Sequence, residues 1–453
     1  MMINRKVKPE SEKELFFNLP EIQEVTLDNG LRIIYIQKEK LPVTRLNLMI
    51  ECGSKFDQAG KKGLSNLTSM VLDEGADGLS ALEISDGFDT LGSNFTVNSD
   101  DESINLKLQT LTEQLESSLN LFSKVLLKPD FRHLDFERQK RKVLTRLLQL
   151  SDEPDFTAQR ILEYLVFSQS NPYAYPSLGY IEDIENLEID DLKKYYSGKF
   201  SPSNSNLVAA GNSKFEDFIK VIQNYFNDWN SSVERTDLTY DNKFEKKKIF
   251  LFNKKDSVQS EIRIGHSSVK RNSYSFFPRL LLNAILGGQF TSRINLNLRE
   301  AKGYTYGAFS NFNYFKDSAF FYVSTSVSNE NTVDAINEIY SELENIRNGV
   351  SDAELEFAKS SIIKKFPSNF ETYRQITGNL ATKVIHSLPN SFFNSYIDNV
   401  SSVSSELIKK AAQDLILPDN AFCVIVGDKN KLEDSLKTTG MDIIEVDDKG
   451  KIL

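Results

Sequence analysis

The sequence predicts an α+β protein made of two homologous α/β-sandwich domains, and three observations predict it. Strand-type and helix-type periodicities come in clusters and not in strict alternation, which favours separate layers of sheet and helix over a doubly wound parallel sheet. A chain of 453 residues exceeds one ordinary core. The second half also repeats landmarks of the first. SPSNSNLVAAGN (Ser201 to Asn212) and LPDNAFCVIVGD (Leu417 to Asp428) set Pro202 against Pro418, Asn204 against Asn420 and Gly211 against Gly427, each pair 216 positions apart. A period of that length marks a domain duplication and not a solenoid. The expected division is a first domain over 1–228, a polar, charged linker over 229–247 and a second domain over 248–453.

In chain order, Val25 to Leu27 reads as a short strand, Asp28-Asn29-Gly30 as a hairpin turn, and Leu31 to Ile36 as the return strand. Pro42 to Cys52 alternates as a further strand. Gly63 to Gly75 and Ala81 to Leu91 carry helical patterns. Phe95 to Leu108 gives two strands about a polar turn, Asn98 to Glu102. Thr112 to Leu126, Asp135 to Gln149 and Pro154 to Phe167 are amphipathic helices, and Asn171 to Gly179 is a loop rich in Pro and Tyr. Asp190 to Tyr196 is helical, Asn206 to Ala210 a strand and Phe215 to Phe226 a helix. The 216-residue offset carries Gly30 to Lys246, where a new strand, KIFLFN, begins.

Composition is that of a soluble globular protein, 40% apolar and 26% charged. The net charge of −10 argues against a nucleic-acid partner. The basic stretches Arg138 to Arg146 and Lys246 to Lys248 read as a solvated helix face and a linker. No apolar run approaches the ~20 residues of a membrane span. The early cluster Leu15, Phe16 and Phe17 is too short for a secretory signal. The expected location is therefore cytoplasmic, or periplasmic if the N-terminus is already processed. Cys52 and Cys423 fall in β-like runs and read as buried thiols.

The stretch GLSNLTSMVLDEG carries the pattern on which function turns. Leu64, Leu67, Val71 and Leu72 form a core-facing stripe, and Asn66, Ser69 and Met70 share one flank at i, i+3 and i+4. That flank is where a helix would present two metal ligands and a base. A zinc hydrolase needs about three protein ligands, an open position and a base. The three histidines, His133, His266 and His386, are isolated from one another. No Gly-x-Ser-x-Gly elbow supports a serine triad, and Gly287-Gly288 is not followed by a P-loop lysine.

The DNGLRI hairpin, GLSNLTSMVLDEG, NPYAYPSLG, the SPSN-to-GN strand, VQSEIRIG and LLNAILGGQFTSRINLNLREAKGYTYG together resemble the pitrilysin and insulinase metallopeptidases. The resemblance runs from about Glu24 to Asp428 and is most specific from Leu281 to Gly307. It implies two α+β domains forming a half-shell, and two half-shells enclosing a peptide-degrading chamber. Active members carry His-x-x-Glu-His on the first helix; here Asn66, Ser69 and Met70 occupy those positions. The family's third ligand, a glutamate on a later helix, aligns with Arg146. A fixed cation beside a dication raises the electrostatic energy, so the resemblance implies a lost zinc site and no metal in this chain.

The family's substrate-holding arginine and tyrosine match Arg299 and Tyr306. A guanidinium can grip a peptide carbonyl, and a phenol can donate to a developing oxyanion. The ordinary structural roles for these residues are a helix C-terminal cap for Arg299 and a strand position for Tyr306. The resemblance therefore implies the non-catalytic subunit of a heterodimeric bacterial zinc peptidase. Its partner would be a His-x-x-Glu-His subunit that holds the zinc, and its substrates would be peptides. Two alternatives remain. One is a scaffold like the core subunits of the respiratory bc1 complex. The other is a self-sufficient enzyme using Asp73 and Glu74, which adjacent helical residues serve poorly because they point about 100° apart.

Overall fold

The computed structural model describes residues 17–167, 169–231, 233, 246–271 and 274–453. Most of the expected linker over 229–247, namely residue 232 and residues 234–245, lies outside the described residues.

The first half runs β1 (Ile22–Thr26), β2 (Arg32–Gln37), β3 (Val43–Ile50), α1 (Leu64–Val71), α2 (Ala81–Thr90), β4 (Asn94–Ser99) and β5 (Ile104–Leu111). It continues through α3 (Leu115–Leu127), α4 (His133–Ser151), α5 (Pro154–Val166), α6 (Ile181–Asn186), α7 (Ile189–Lys199), β6 (Ser205–Gly211) and α8 (Phe215–Phe226). The second half runs β7 (Ile249–Asn253), β8 (Gln259–Ser267), α9 (Phe276–Asn283), β9 (Ala308–Tyr314) and β10 (Ala319–Ser328). It then runs α10 (Thr332–Ile346), α11 (Asp352–Lys365), α12 (Tyr373–Ile385), α13 (Tyr396–Ser401), α14 (Ser405–Leu415), β11 (Phe422–Gly427), α15 (Lys429–Lys437) and β12 (Ile443–Glu445).

Each half builds a six-stranded mixed sheet, ordered β1-β2-β6-β3-β5-β4 in the first and β12-β7-β11-β8-β10-β9 in the second. The 216-residue offset is written into the hydrogen-bond register. Ile33 pairs with Leu207 and Ile249 with Cys423; Leu48 pairs with Leu207 and Ile264 with Cys423. The duplicated α+β fold is therefore present strand for strand, except at one edge. There the first sheet takes β1 from an antiparallel hairpin, and the second takes β12 in parallel from the C-terminal segment.

The Asp28-Asn29-Gly30 signal marks a real turn: Gly30 has φ +91° and its N–H donates to the Leu27 carbonyl at 2.9 Å. The expected helix at Gly63 to Gly75 is shorter, ending at Val71. Gly75 and Ala76 instead pair with Leu79 and Ser80 in a small ladder. Helix α6 had no counterpart in the sequence reading, because six residues carry too little periodicity to stand out.

One face of each sheet packs on the helices of its own half. The opposite face is covered by a helix from the other half. Ala158, Ile161 and Leu162 of α5 pack on Phe250, Phe320 and Val424, while Ile376 and Leu380 of α12 pack on Ile34, Met49 and Val208. Ion pairs tie each exchanged helix down: Lys383 to Glu24 at 2.9 Å, and Asp155 to Arg263.

The two halves also meet at a buried ionic cluster. Lys55, its side chain 2% exposed, lies 2.7 Å from Glu102, 3.2 Å from Asp317 and 3.6 Å from Glu51. Glu102 further accepts from the Tyr173 hydroxyl and the Lys316 amide, both at 2.7 Å. Burial alone would depress the Lys55 ammonium; the surrounding carboxylates, Glu102 foremost, outweigh it and hold it above its ordinary value.

Candidate functional site

Helix α1 is positioned from its N-terminus. Asp57, from the preceding loop, accepts from Gly63 N (2.9 Å), Ser65 N (3.0 Å) and Ser65 Oγ (3.1 Å), so it satisfies donors that the helix leaves open. Burial pushes the Asp57 carboxyl up to about 7, although these three bonds and Lys62 act against it. The Asn171 to Gly179 loop closes over this helix end. Gly179 has φ +78°, and a Cβ there would sit 2.0 Å from the Lys62 carbonyl oxygen. Gly179→Ala is expected to cost about 1–3 kcal/mol or more through backbone strain and this collision, read as a lowered thermal midpoint.

On α1 the three flank residues do come together. Asn66 Nδ2 lies 3.7 Å from Met70 Sδ, and the buried Ser69 hydroxyl donates to the Asn66 carbonyl at 2.7 Å. This set does not fit zinc. An amide and a thioether replace imidazoles, and the hydroxyl is spent on its own helix. Among the described residues no group of three or more His, Cys, Asp or Glu could hold a metal ion.

Arg146 of α4 has a side chain 55% exposed and 3.8 Å from Glu153, and a fixed cation there cannot serve as a metal ligand. Glu74 is taken up by Arg138 and Gln139, and burial raises the Asp73 carboxyl to about 6. His266 is buried and held down at about 4 by burial. It takes a hydrogen bond from Leu417 N at 3.2 Å, as a core imidazole does. Cys52 and Cys423 are both buried free thiols. The stretch Arg138 to Arg146 is more than a solvated face, since Lys140 donates to the carbonyls of Glu185 and Leu187 at 2.8 and 2.9 Å.

In the second half, Arg299 lies on a π-helical turn, Leu296–Ala301, that follows a second such turn, Ala284–Gly288. Such turns are rare and concentrate where a side chain must be re-aimed. The guanidinium sits 4.2 Å over the Phe290 ring, and one of its nitrogens is 2.9 Å from the Glu300 carboxylate without hydrogen-bond geometry. Tyr306 is not in a strand. It stands on the loop before β9, 97% exposed, so the ordinary packing role does not apply to it.

The loop beneath Tyr306 is braced. Buried Asn295 donates to the Phe290 carbonyl at 2.6 Å and accepts from Ala308 N at 3.0 Å. Thr325 Oγ1 lies 3.1 Å from both Thr305 Oγ1 and the Gly307 carbonyl. Asn295 and Phe290 escape sequence reasoning because their roles are tertiary; the sequence shows only that both lie within the most specific stretch.

A bidentate pair, Arg293 to Glu354 at 2.7 and 2.9 Å, anchors the start of this segment and holds the Glu354 carboxyl down at about 2, chiefly through the arginine. The folded-state value lies below the ordinary 4.5. Its stabilisation is therefore complete above about pH 4.5 and lost as the pH falls toward 2. Glu354→Gln is expected to lower the melting temperature at neutral pH, with the difference from wild type vanishing near pH 2.

Comparisons with known proteins bear on the family and the fold. Residues 32–178 match the model described as insulinase (peptidase family M16), and residues 186–362 match the peptidase M16 inactive domain. Similar curated proteins include the uncharacterized zinc protease YmxG of Bacillus subtilis, 22% identical over 89% of this chain and 98% of that protein. The non-peptidase homolog YmxG of Helicobacter pylori is 24% identical over 82% of this chain and 86% of that one. A crystal structure of a peptidase M16 inactive domain from Pseudomonas fluorescens superposes with a TM-score of 0.84 at 22% identity, covering 90% of this chain and 98% of that one. With both sheets, the offset register and the altered first helix in place, the chain belongs to the insulinase family of peptidases, family M16, as an inactive member.

Proposed function

We propose that this chain is the non-catalytic, substrate-binding subunit of a heterodimeric zinc peptidase. A partner with an intact His-x-x-Glu-His helix holds the zinc, and this chain holds none. Arg299 and Tyr306 reach across to the partner's site, where the guanidinium holds a peptide carbonyl and the phenol donates to the developing oxyanion. The observation that carries this reading is Tyr306 itself. A tyrosine 97% exposed on a loop braced from below is unspent within the chain and pre-organised for something outside it.

Peptides bind in this reading as an added strand on a sheet edge, where main-chain bonds give affinity with little sequence preference. No described helix is long and apolar enough to cross a membrane. The alternative scaffold role needs neither residue. The test is cleavage of a quenched peptide by the reconstituted pair. Loss of cleavage with Arg299 or Tyr306 altered and the dimer intact supports the proposal, and indifference to both changes supports a scaffold.

A further inference from the structure

The first sheet carries a charged feature that the role of Arg299 and Tyr306 leaves unused. On the face that α12 crosses, Arg45 of β3 pairs with Gln109 of β5, Asn47 pairs with Lys107, and Lys107 pairs with Thr96 of the edge strand β4. Directly opposed residues of an antiparallel ladder share a face, so these side chains form two adjacent rungs on one face, a band running out to the edge. The Tyr373 hydroxyl, 2.7 Å from the Lys38 carbonyl just ahead of β3, brings Arg374 in the first turn of α12 to the same end of the sheet.

The cations lean outward. Arg45 Nη1 donates to Gln109 Oε1 at 3.1 Å, and Lys107 Nζ to Asn98 Oδ1, on the edge strand itself, at 2.8 Å. Among the described residues none of the three forms an ion pair, and Arg45 Nε is buried without a hydrogen-bond partner. The carboxylate that acts on Lys107, Asp100, is already taken up by the amides of Glu102 and Ser103 and by Asn105 Nδ2. Burial first, and then Arg374, hold Arg45 below its ordinary value; burial also holds Lys107 down, with Asp100 acting against it and Arg45 and Arg374 adding to it.

We propose that this cationic band beside the free edge of β4 is a subsite for the acidic side chains of a peptide lying along that edge. The first half then holds peptides that it cannot cut. The inference rests on the reading of this chain as a peptide-binding subunit and adds a charge preference to it. An added strand lies about 4.8 Å from β4, and its alternate residues face the band, within reach of the Lys107 ammonium. The chain's net charge of −10 repels acidic peptides as a whole, so a preference for them has to come from a local site.

The test uses the full chain and two short labelled peptides of extended type, one with glutamate at alternate positions and one with glutamine there. Binding is read by fluorescence anisotropy. The glutamate peptide is expected to bind on the order of tenfold more tightly at low salt, and the ratio to fall toward one at about 0.5 M salt. Arg45→Gln with Lys107→Gln should bring the low-salt ratio near one. Arg374→Gln, at the surface, should lower it alone. Arg141→Gln with Lys142→Gln, exposed on α4, should leave it unchanged.

Equal binding of the two peptides by the wild type would overturn the subsite. So would a ratio that survives in the cluster variants, or one lost equally in the α4 control. A ratio of one alongside Arg299-dependent cleavage by the pair removes the subsite and leaves the proposed function standing. A cluster-dependent ratio alongside Arg299-indifferent cleavage does the reverse.

Discussion

Replacing Arg299 with alanine is expected to lower peptide cleavage by the reconstituted pair by about 100-fold or more, with the dimer intact. Tyr306→Phe, which removes one hydroxyl, should cost about 100- to 1,000-fold in kcat, the range for losing one donor to a developing oxyanion. The two changes should differ in kind. In the proposed role Arg299 grips the ground-state peptide as well as the transition state, so its loss should raise KM and lower kcat. Tyr306→Phe acts on kcat alone, because a phenol aimed at an oxyanion gains most when charge develops. Neither should alter the fold, since Tyr306 touches little and Arg299, partly buried, meets the exposed side chains of Phe290 and Glu300. Steady-state kinetics on the pair, with size-exclusion chromatography to confirm assembly, checks both.

The second large effect concerns stability. Lys55→Met is expected to destabilise the chain by about 3–5 kcal/mol, because it leaves the Glu102 carboxylate, 10% exposed, without its cation, while Glu51 keeps Lys316 and Asp317 keeps Lys270. The cluster joins the turn after β3 and the β4–β5 turn to the β9–β10 turn, so the loss should loosen the two halves from each other. Urea unfolding followed by tryptophan fluorescence, with Trp229 in the first core, reads it. Lys55→Met with Glu102→Gln should recover part of the loss, because the second change removes the stranded charge. A Lys55→Met variant within about 0.5 kcal/mol of wild type would show that the cluster does not hold the halves together.

Much of the fold could be read in the sequence because it is local or repeated. The Asp28-Asn29-Gly30 turn, the strand alternation in Val43–Ile50 and the helical stripe of α1 each follow from spacing alone. The duplication followed from three landmark residues, and the ladder registers of β2, β3 and β6 repeat at the same 216-residue step in β7, β8 and β11. The exchange of α5 and α12 between halves was not legible. An amphipathic helix shows that it buries a face, not which sheet buries it. The Asp57 cap and the Lys55 cluster were hidden for the same reason: each joins residues whose only relation is spatial.

The candidate site was half legible. Asn66, Ser69 and Met70 are adjacent in space as their spacing required, whereas the pairing of half-exposed Arg146 with Glu153 was not legible, because a position along a helix does not show which side chains meet it. The exposure of Tyr306 could not be read at all. A tyrosine just before a β-type run looks like a strand residue until the braced loop under it is seen.

The most direct test of the proposed division of labour is zinc content and peptide cleavage measured on the same samples, with the chain alone, its His-x-x-Glu-His partner alone and the two mixed. A subunit with a vacated site and a retained arginine–tyrosine pair should purify without stoichiometric zinc, cleave nothing alone, and raise the partner's cleavage from near background to full activity on mixing. Tightly bound zinc and peptidase activity in the chain alone would contradict it.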